Sequence, residues 1–355
     1  MREPIRILVL GTGQMGSAIM RLVLQKAGLH LVGAYGRRAH RVGMDVGQAI
    51  GLDNMLGIAI STDLDRLAEE TRPDIAIQAT SSTVTDALPE ISTLLNHNVN
   101  VISIAEEMAF PKESSPAIAE QLHWQAMKQG VSVLGTGINP GFVLDLLVIT
   151  LSGVCADIQS ITAKRVNDLS AYGPSVLTSQ GVGMTPEAFR KGVSNGTVVG
   201  HHGFKQSIHM IAKAVGWEID EIQESLEPIV SHVQRKTPFV RIEPGQVAGC
   251  EHTAVAYRNQ QALITLIHPQ QIQPQAEDIA TQDNIEIKGT PDIKLSGSPE
   301  IPGGIATAAI AVNSIPRVLN AAPGLYSMAD LPVPSAMLTD ARSFLPEELV
   351  EVRYD

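Results

Sequence analysis

What the chain lacks narrows its possibilities first. It has two cysteines in 355 residues, Cys155 and Cys250, and they are not at metal-ligand spacing. A disulfide framework is therefore not expected, and a reducing cytoplasm fits. Basic residues are the minority, 26 Lys and Arg against 37 Asp and Glu, and the formal net charge is −11. That balance argues against a nucleic-acid partner, which needs a basic face to neutralise phosphates. It mildly favours a cationic substrate. No apolar run approaches the ~18 residues of a membrane span, so no membrane partner is expected. A strand-like segment begins within a few residues of Met1, so no signal peptide is expected. Repeats and low-complexity tracts are missing too. The remainder, 44% hydrophobic and 18% charged, is a globular balance, long enough for about two domains.

The opening stretch organises the chain. Ile5 to Leu10 is a short apolar run that enters Gly11-Thr12-Gly13-Gln14-Met15-Gly16, and an amphipathic segment, Ile19 to Leu24, leaves it. Strand, G-x-G-x-x-G turn and helix in this order predict a dinucleotide site. Gly11 makes the tight turn, Gly13 lets backbone approach a pyrophosphate, and Gly16 lets helix and sheet pack closely. The free N–H groups of the helix start then face the anion. A second strand, Leu29 to Tyr35, ends at Gly36-Arg37-Arg38, where the residue meeting the adenosine ribose belongs. An acid there would hold a 2′-hydroxyl. Two guanidinium groups, Arg37 and Arg38, suit a 2′-phosphate, so NADP is the expected cofactor, with NAD use compatible.

Asp74 to Gln78 reads as a central parallel strand whose hydroxyl-rich end, Thr80-Ser81-Ser82, lies at the carboxyl edge where ligands bind. A helix from Val84 to Leu95 leads to the strand Val99 to Ile104, which runs into Glu106 and Glu107, close to where a nicotinamide ring would reach. If the backbone stays extended there, the two glutamates point to opposite faces and only one enters the cleft. A helix over Pro116 to Lys128 and a strand over Val131 to Leu134 follow. Gly135-Thr136-Gly137-Ile138-Asn139-Pro140-Gly141-Phe142 then marks a special backbone path, read as the crossover to a second domain, with an apolar helix-like run from Val143 to Leu151.

The predicted fold is α/β: an N-terminal Rossmann-type doubly wound parallel sheet, residues 1–142, and a C-terminal α+β domain, 143–302, with a mostly antiparallel sheet. Within the second domain, Asp157 to Asn167 alternates like a strand and ends in a dense polar set. Gly200-His201-His202-Gly203-Phe204-Lys205 precedes a helix, and 227–287 alternates in β fashion. His201, His202 and His209 have no carboxylate or cysteine at ligand spacing, so no metal is expected. A small-residue helix, Ile305 to Asn313, closed by Pro316, is expected to return to the first domain within 303–320, placing Asn313 at the cofactor. The rest, 321–355, is expected to be an irregular tail from Gly324.

Several of these stretches together resemble the 2,4-diaminopentanoate dehydrogenase and native amine dehydrogenase family: GTGQMG at 11–16, AEEMAFP at 105–111, GTGINPGFVLDLL at 135–147, NDLSAYGP at 167–174, GHHGFKQSIHMIA at 200–212, HPQQI at 268–272 and EIPGGIATAAIAVNSIP at 300–316. Lys112, after Phe110-Pro111, departs from relatives that often carry an aromatic there. The fold is similar to that of dihydrodipicolinate reductase. The resemblance implies NAD(P)-dependent oxidation of the C4 amine of 2,4-diaminopentanoate to 2-amino-4-oxopentanoate with release of ammonia, reversible as reductive amination. It implies a small amine or diamino acid as substrate, and the exposed sheet face that such C-terminal domains leave leads to the expectation of a homodimer. For such a reaction Glu106 is the first choice of base and Glu107 the second. Asn139, Tyr172 and the Arg165-Asn167-Asp168 cluster are expected to hold the substrate's carboxylate and α-amine, with Phe142 walling the nicotinamide and His201 and His202 also on the substrate side. Two alternatives are an imine reductase of the dihydrodipicolinate reductase type and an NADP-sensing regulator. The His-His-x-x-Lys echo at 201–205 favours the first, but Lys205 is not followed by a Ser-Gly-Thr loop.

Overall fold

Strands and helices alternate through the first part of the chain, as the sequence pattern predicts; the computed structural model describes residues 3–346. Of these, 3–138 and 303–346 form one compact unit and Asn139–Pro302 a second. The first unit contains β1 (Ile5–Leu10), α1 (Gln14–Gln25), β2 (Leu29–Tyr35), α2 (Val46–Ala49), β3 (Ile60–Ser61), α3 (Leu64–Thr71) and β4 (Ile75–Gln78). It continues with α4 (Val84–Asn96), β5 (Asn100–Ser103), α5 (Pro111–Ser114), α6 (Pro116–Gln129) and β6 (Ser132–Gly135). All four residues of β4 are buried, as expected of a parallel strand covered on both faces. The Thr83 hydroxyl accepts from Asp86 N–H and so caps α4, which buries Val84, Ala87, Ile91, Leu94 and Leu95 along one stripe.

The second unit holds α7 (Leu146–Ser152), β7 (Asp157–Asp168), α8 (Pro174–Ser179), α9 (Pro186–Ser194), α10 (Phe204–Val215) and β8 (Glu221–Val230). A small hairpin, β9 (Arg235–Lys236) and β10 (Arg241–Ile242), precedes β11 (Val247–Arg258), β12 (Gln261–Gln271), β13 (Gln282–Thr290) and β14 (Ile293–Gly297). Six of these strands form one sheet in the order β14-β13-β7-β12-β11-β8. Only β7 and β12 run parallel; the other pairs are antiparallel. Alternation along the strands buries one face, which carries Ile161, Ala163, Ala254, Leu266 and Ile285. α10 packs against β11 and β12 and against α7.

The chain then returns to the first unit as α11 (Gly303–Asn313), α12 (Ile315–Leu319) and β15 (Gly324–Tyr326). α11 packs on α1. Two expectations are corrected here. Pro316 does not close a helix but sits in the first turn of α12, where its missing N–H has no intrahelical partner to lose. Gly324–Tyr326 is not irregular: it pairs with β6 and completes a seven-stranded sheet, β15-β6-β5-β4-β1-β2-β3, in which every pair is parallel. Residues 347–355 of the expected tail lie outside the described residues. No helix among the described residues is long and apolar enough to cross a membrane.

Candidate functional site

Strand order reverses between β1 and β4, and in an open α/β sheet ligands bind beyond the carboxyl ends of the strands at such a point. The glycine turn leaves β1 there. A Cβ on Gly16 would stand 1.8 Å from the Gly11 carbonyl oxygen, so helix α1 seats against the turn only with glycine at this position. Gly13 differs: a Cβ there would meet nothing nearer than an Arg38 Nη2 at 4.0 Å. Its lack of a side chain serves no internal packing and leaves a backbone surface open. The α1 N-terminus receives no side-chain cap, so its first N–H groups face outward. This cradle fits a dinucleotide pyrophosphate.

The two arginines separate. Arg37 Nε pairs with Glu90 at 2.8 Å and its Nη2 donates to the Asp86 carbonyl, fixing it to α4. Glu90 is buried and also accepts from the Thr80 hydroxyl and, at 3.3 Å, from Gln78 Nε2. Arg38 lies over Gly13, and Arg41 donates to the Thr12 carbonyl. Of the hydroxyls at the end of β4, Thr80 and Ser81 both accept from Gln78, whereas Ser82 is exposed and its carbonyl accepts from Glu107 N–H. Gln14 is exposed and Met15 half-buried at the start of α1. Asn313 closes α11, where its side-chain oxygen accepts from Met337 N–H.

The backbone at the glutamates is not extended, so the condition for their pointing to opposite faces is not met. Glu106–Ala109 forms a 3-10 turn, and its side chains fan around an axis instead of alternating between two faces. The carboxylate of Glu107 is committed: Oε2 accepts from Val84 N–H at 2.8 Å, at the amino end of α4, where a negative charge is favoured. Glu106 is half-buried in the first position of the turn.

In the second unit, sheet register gathers a polar cluster on the buried face. Arg165 stands opposite Asp283, Asn167 opposite Gln270, and His252 opposite His268. Arg165 is 3% exposed; its Nη1 reaches both Asp283 oxygens at 2.9 and 3.1 Å, and its Nη2 donates to the Ile301 carbonyl. Asn167 Oδ1 meets His268 Nε2 at 2.9 Å, and His268 Nδ1 faces Asn139 Nδ2 at 3.4 Å. The His201 ring is edge-on to those of His268 and Phe204, with centroids 4.9 and 4.8 Å away, and His201 N–H donates to His252 Nδ1. Two buried atoms of this cluster, Asn139 Oδ1 and His201 Nε2, have no hydrogen-bond partner among the described residues.

Local structure explains the placement. The peptide before Pro140 is cis, and Asp145, wholly buried, clamps the following turn by accepting from Gly141 N–H, Leu146 N–H and the Ser207 hydroxyl. That cap is why α7 begins at Leu146 and not at Val143. Gly203, at φ +114°, packs on Pro140; a Cβ there would come within 2.4 Å of the ring.

Burial governs the ionisation of the cluster. It pushes His201 and His268 well below the usual histidine range, reinforced by neighbouring histidines and Arg165. His252 is lowered too, by burial first, with Glu224 opposing. Burial raises the Tyr172 phenol, an effect that Arg165 offsets and Glu300 reinforces. Burial also raises Asp145, against its hydrogen bonds.

Residues 142–347 match the model of the 2,4-diaminopentanoate dehydrogenase C-terminal domain, and residues 5–104 that of the dihydrodipicolinate reductase N-terminus. The chain belongs to the 2,4-diaminopentanoate dehydrogenase family. It is 41% identical over 353 residues, 98% of each chain, to 2,4-diaminopentanoate dehydrogenase of Acetoanaerobium sticklandii. It is 27% identical to an amine dehydrogenase of Streptomyces virginiae, over 94% of this chain and 98% of the other. The solved amine dehydrogenase of Mycobacterium smegmatis superposes with a TM-score of 0.83 at 27% identity, covering 94% of this chain and 98% of that one. The protein is thus an oxidoreductase on a nucleotide-binding fold of the dihydrodipicolinate reductase type.

Within this family member, the predicted substrate-side residues fall into two groups. Asn139, Asn167, His201 and Arg165 gather around His268, with Tyr172 close enough to Arg165 to feel its charge. Asp168 is occupied elsewhere: it accepts from Ser170 N–H and hydroxyl and from Gln273 N–H, holding the turn after β7. His202 is exposed, and Phe142 is half-buried, its carbonyl accepting from Leu147 N–H. His252 and His268 were not singled out as site residues. The sequence carries no signal for their pairing: the tight hairpin closed by Arg258 and Gln261 would set His252 opposite Ile267, and the register shift at Ala256–Tyr257 is what brings His268 across from it.

Proposed function

We propose that the protein catalyses NAD(P)-dependent oxidative deamination of 2,4-diaminopentanoate at C4, yielding 2-amino-4-oxopentanoate and ammonia, and the reverse reductive amination. The observation that carries this reading is the 41% identity to a 2,4-diaminopentanoate dehydrogenase along 98% of both chains, through both units. The acidic chain and the acceptor-bearing cluster of the second unit support an amine substrate.

Gly11, Thr12, Gly13, Gln14, Met15 and Gly16 hold the cofactor pyrophosphate, with Ser81 and Ser82 beside it. Arg38 meets the 2′-phosphate of NADP, the preferred cofactor, and NAD is also used. When bound, the nicotinamide supplies the hydride acceptor. Glu106 is the base. An ammonium has no lone pair to support the developing C=N bond, so the C4 amine must first give up a proton to a carboxylate. Loss of the C4 hydride then leaves an iminium. Glu106 passes that proton to solvent, takes one from the water that adds to the iminium, and returns it to the adduct's nitrogen; collapse to the ketone then releases ammonia as the adduct's hydroxyl proton goes back to Glu106. Glu107, bound to α4, keeps the turn in place. Asn139, Arg165, Tyr172 and His201 recognise the polar groups of the substrate, with Asn167 holding the His268 ring beside them. We also propose that the protein acts as a homodimer in the cytoplasm. The second face of the six-stranded sheet, with Thr162, Lys164, Ile267 and Asn284, is the candidate contact surface.

The test is a panel of diamino acids and simple amines assayed with NAD and NADP in parallel. Fastest turnover is expected with 2,4-diaminopentanoate and NADP. Turnover of simple amines alone would move the assignment to the broader amine dehydrogenases. Reduction of a cyclic imine without ammonia release would favour the reductase alternative.

A further inference from the structure

Asn167, His268 and Asn139 form a chain of contacts with one consistent direction. Asn167 Oδ1 can only accept, so the proton of the His268 ring sits on Nε2, 2.9 Å away. Nδ1 is then a lone pair, and the group facing it at 3.4 Å is the Asn139 amide nitrogen, a donor. The two ends of an asparagine amide are nearly identical in shape, so this electrostatic preference decides which way it points. With Nδ2 turned to His268, Oδ1 is left as a buried acceptor with no hydrogen-bond partner among the described residues. A buried acceptor without a partner is costly, and its retention points to a donor that a ligand brings.

We propose that His268 is a positioning residue: as the neutral Nε2–H tautomer held by Asn167, it keeps Asn139 Oδ1 turned away from its own ring, to accept an N–H from the substrate's amine or ammonium group. The proposal rests on the amine-substrate reading above. An ammonium has three donors and no acceptor, so it is attracted by Oδ1 and repelled by an outward Nδ2. Protonation of His268 would place N–H on both ring nitrogens. Nδ1–H would then draw Oδ1 inward and present Nδ2 to the substrate.

The groups facing this ring disfavour that state. Arg165 comes from β7, His252 from β11 and His201 from the loop before α10, and all three oppose a charge on His268 in addition to burial. His202 acts on His201 and His252, and Glu224 of β8 acts on His252 in the opposite sense. The Michaelis constant for the amine is therefore flat from pH 8 to about 6.5, the ordinary histidine value, and rises only on the acid side of it.

Two measurements test this on the full chain. In the 15N spectrum of histidine-labelled protein, assigned with His268→Phe, His268 shows a protonated Nε2 and an unprotonated Nδ1 from pH 8 to 6.5. In steady-state kinetics with 2,4-diaminopentanoate, His268→Phe and Asn167→Leu each raise the amine KM roughly tenfold or more, as loss of one charge-assisted hydrogen bond predicts. Cofactor affinity stays unchanged and kcat falls less than KM rises. His268→Gln can donate to Asn167 and accept from Asn139, so it recovers much of the affinity and loses the acid-side rise in KM. If His268→Phe fails to fold, His268→Gln assigns the spectrum and Asn167→Leu carries the kinetic test. A wild-type protein that oxidises no amine overturns the amine reading and this proposal with it. An active enzyme with an Nδ1–H His268, or with an unchanged amine KM in Asn167→Leu, overturns the proposal alone.

Discussion

Arg37 and Glu90 are joined by an ion pair of 2.8 Å, while Arg38, the next residue, lies over Gly13 at the mouth of the glycine turn. Adjacent arginines thus have different tasks: one ties the β2 end to α4, and the other faces the cofactor cradle. Arg38→Ala is expected to weaken NADP at least tenfold more than NAD, since a charge-assisted hydrogen bond contributes about 1.5–3 kcal/mol. Arg37→Ala is expected to weaken both cofactors alike, by leaving buried Glu90 without its cation. Fluorescence titration with NADPH and NADH checks both, and an equal loss of the two cofactors in Arg38→Ala would mean that it only shapes the loop.

The glutamates should separate in the same way. Glu106→Gln keeps size and hydrogen bonding but removes the proton acceptor, so turnover should fall by about 10²–10⁴ with cofactor affinity unchanged. Glu107→Gln weakens the charge at the α4 amino end and should cost about 1 kcal/mol of stability while leaving most of the activity. Urea melts and steady-state assays of both variants decide it. A dead Glu107→Gln beside an active Glu106→Gln would exchange the two roles.

Asp145 accepts three hydrogen bonds while wholly buried, and no neutral side chain repeats that set. Asparagine must point its NH₂ at one of the donors, and alanine abandons all three. We expect Asp145→Ala to destabilise the fold by more than Asp145→Asn, each unsatisfied donor costing roughly 1–3 kcal/mol. Chemical denaturation gives the comparison, and equal stability of wild type and Asp145→Ala would remove the clamp from the account.

Acid should weaken the second unit through its histidines. His201, His252 and His268 are all lowered by burial, so between their folded values and about 6.5 only the unfolded chain binds the protons. Their contribution is complete above about pH 6.5 and is lost as pH falls below it, by up to ~1.4 kcal/mol per pH unit for each histidine. Denaturation of wild type and of His252→Gln at pH 7.5, 6.5 and 5.5 should show a shallower fall for the variant. Parallel curves would mean that His252 binds its proton equally in both states.

The legible parts of this protein were those written locally. The apolar run, three glycines and amphipathic helix at 5–25 lie in one stretch, and period alone separates β4 from α4. Elements shorter than a period were not legible: the three residues of β15 form a strand only because β6 offers an edge, and the turn at Glu106–Ala109 is too brief to leave a pattern. Partners distant in sequence were hidden as well. Nothing near Arg37 announces Glu90, and nothing near Arg165 announces Asp283, which the register of β7 and β13 supplies. Asp168 looked like a substrate ligand because a carboxylate in a polar run carries no mark that its own turn consumes it.

The central claim is deamination, and its most direct measurement follows two products at once. Purified protein is incubated with 2,4-diaminopentanoate and NADP, then with NAD, and reduced nicotinamide and ammonia are quantified in the same sample. One ammonia is expected for each reduced nicotinamide, faster with NADP, with consumption of both in the reverse direction with 2-amino-4-oxopentanoate. Absence of ammonia with either cofactor, alongside reduction of dihydrodipicolinate by NADPH, would contradict the claim.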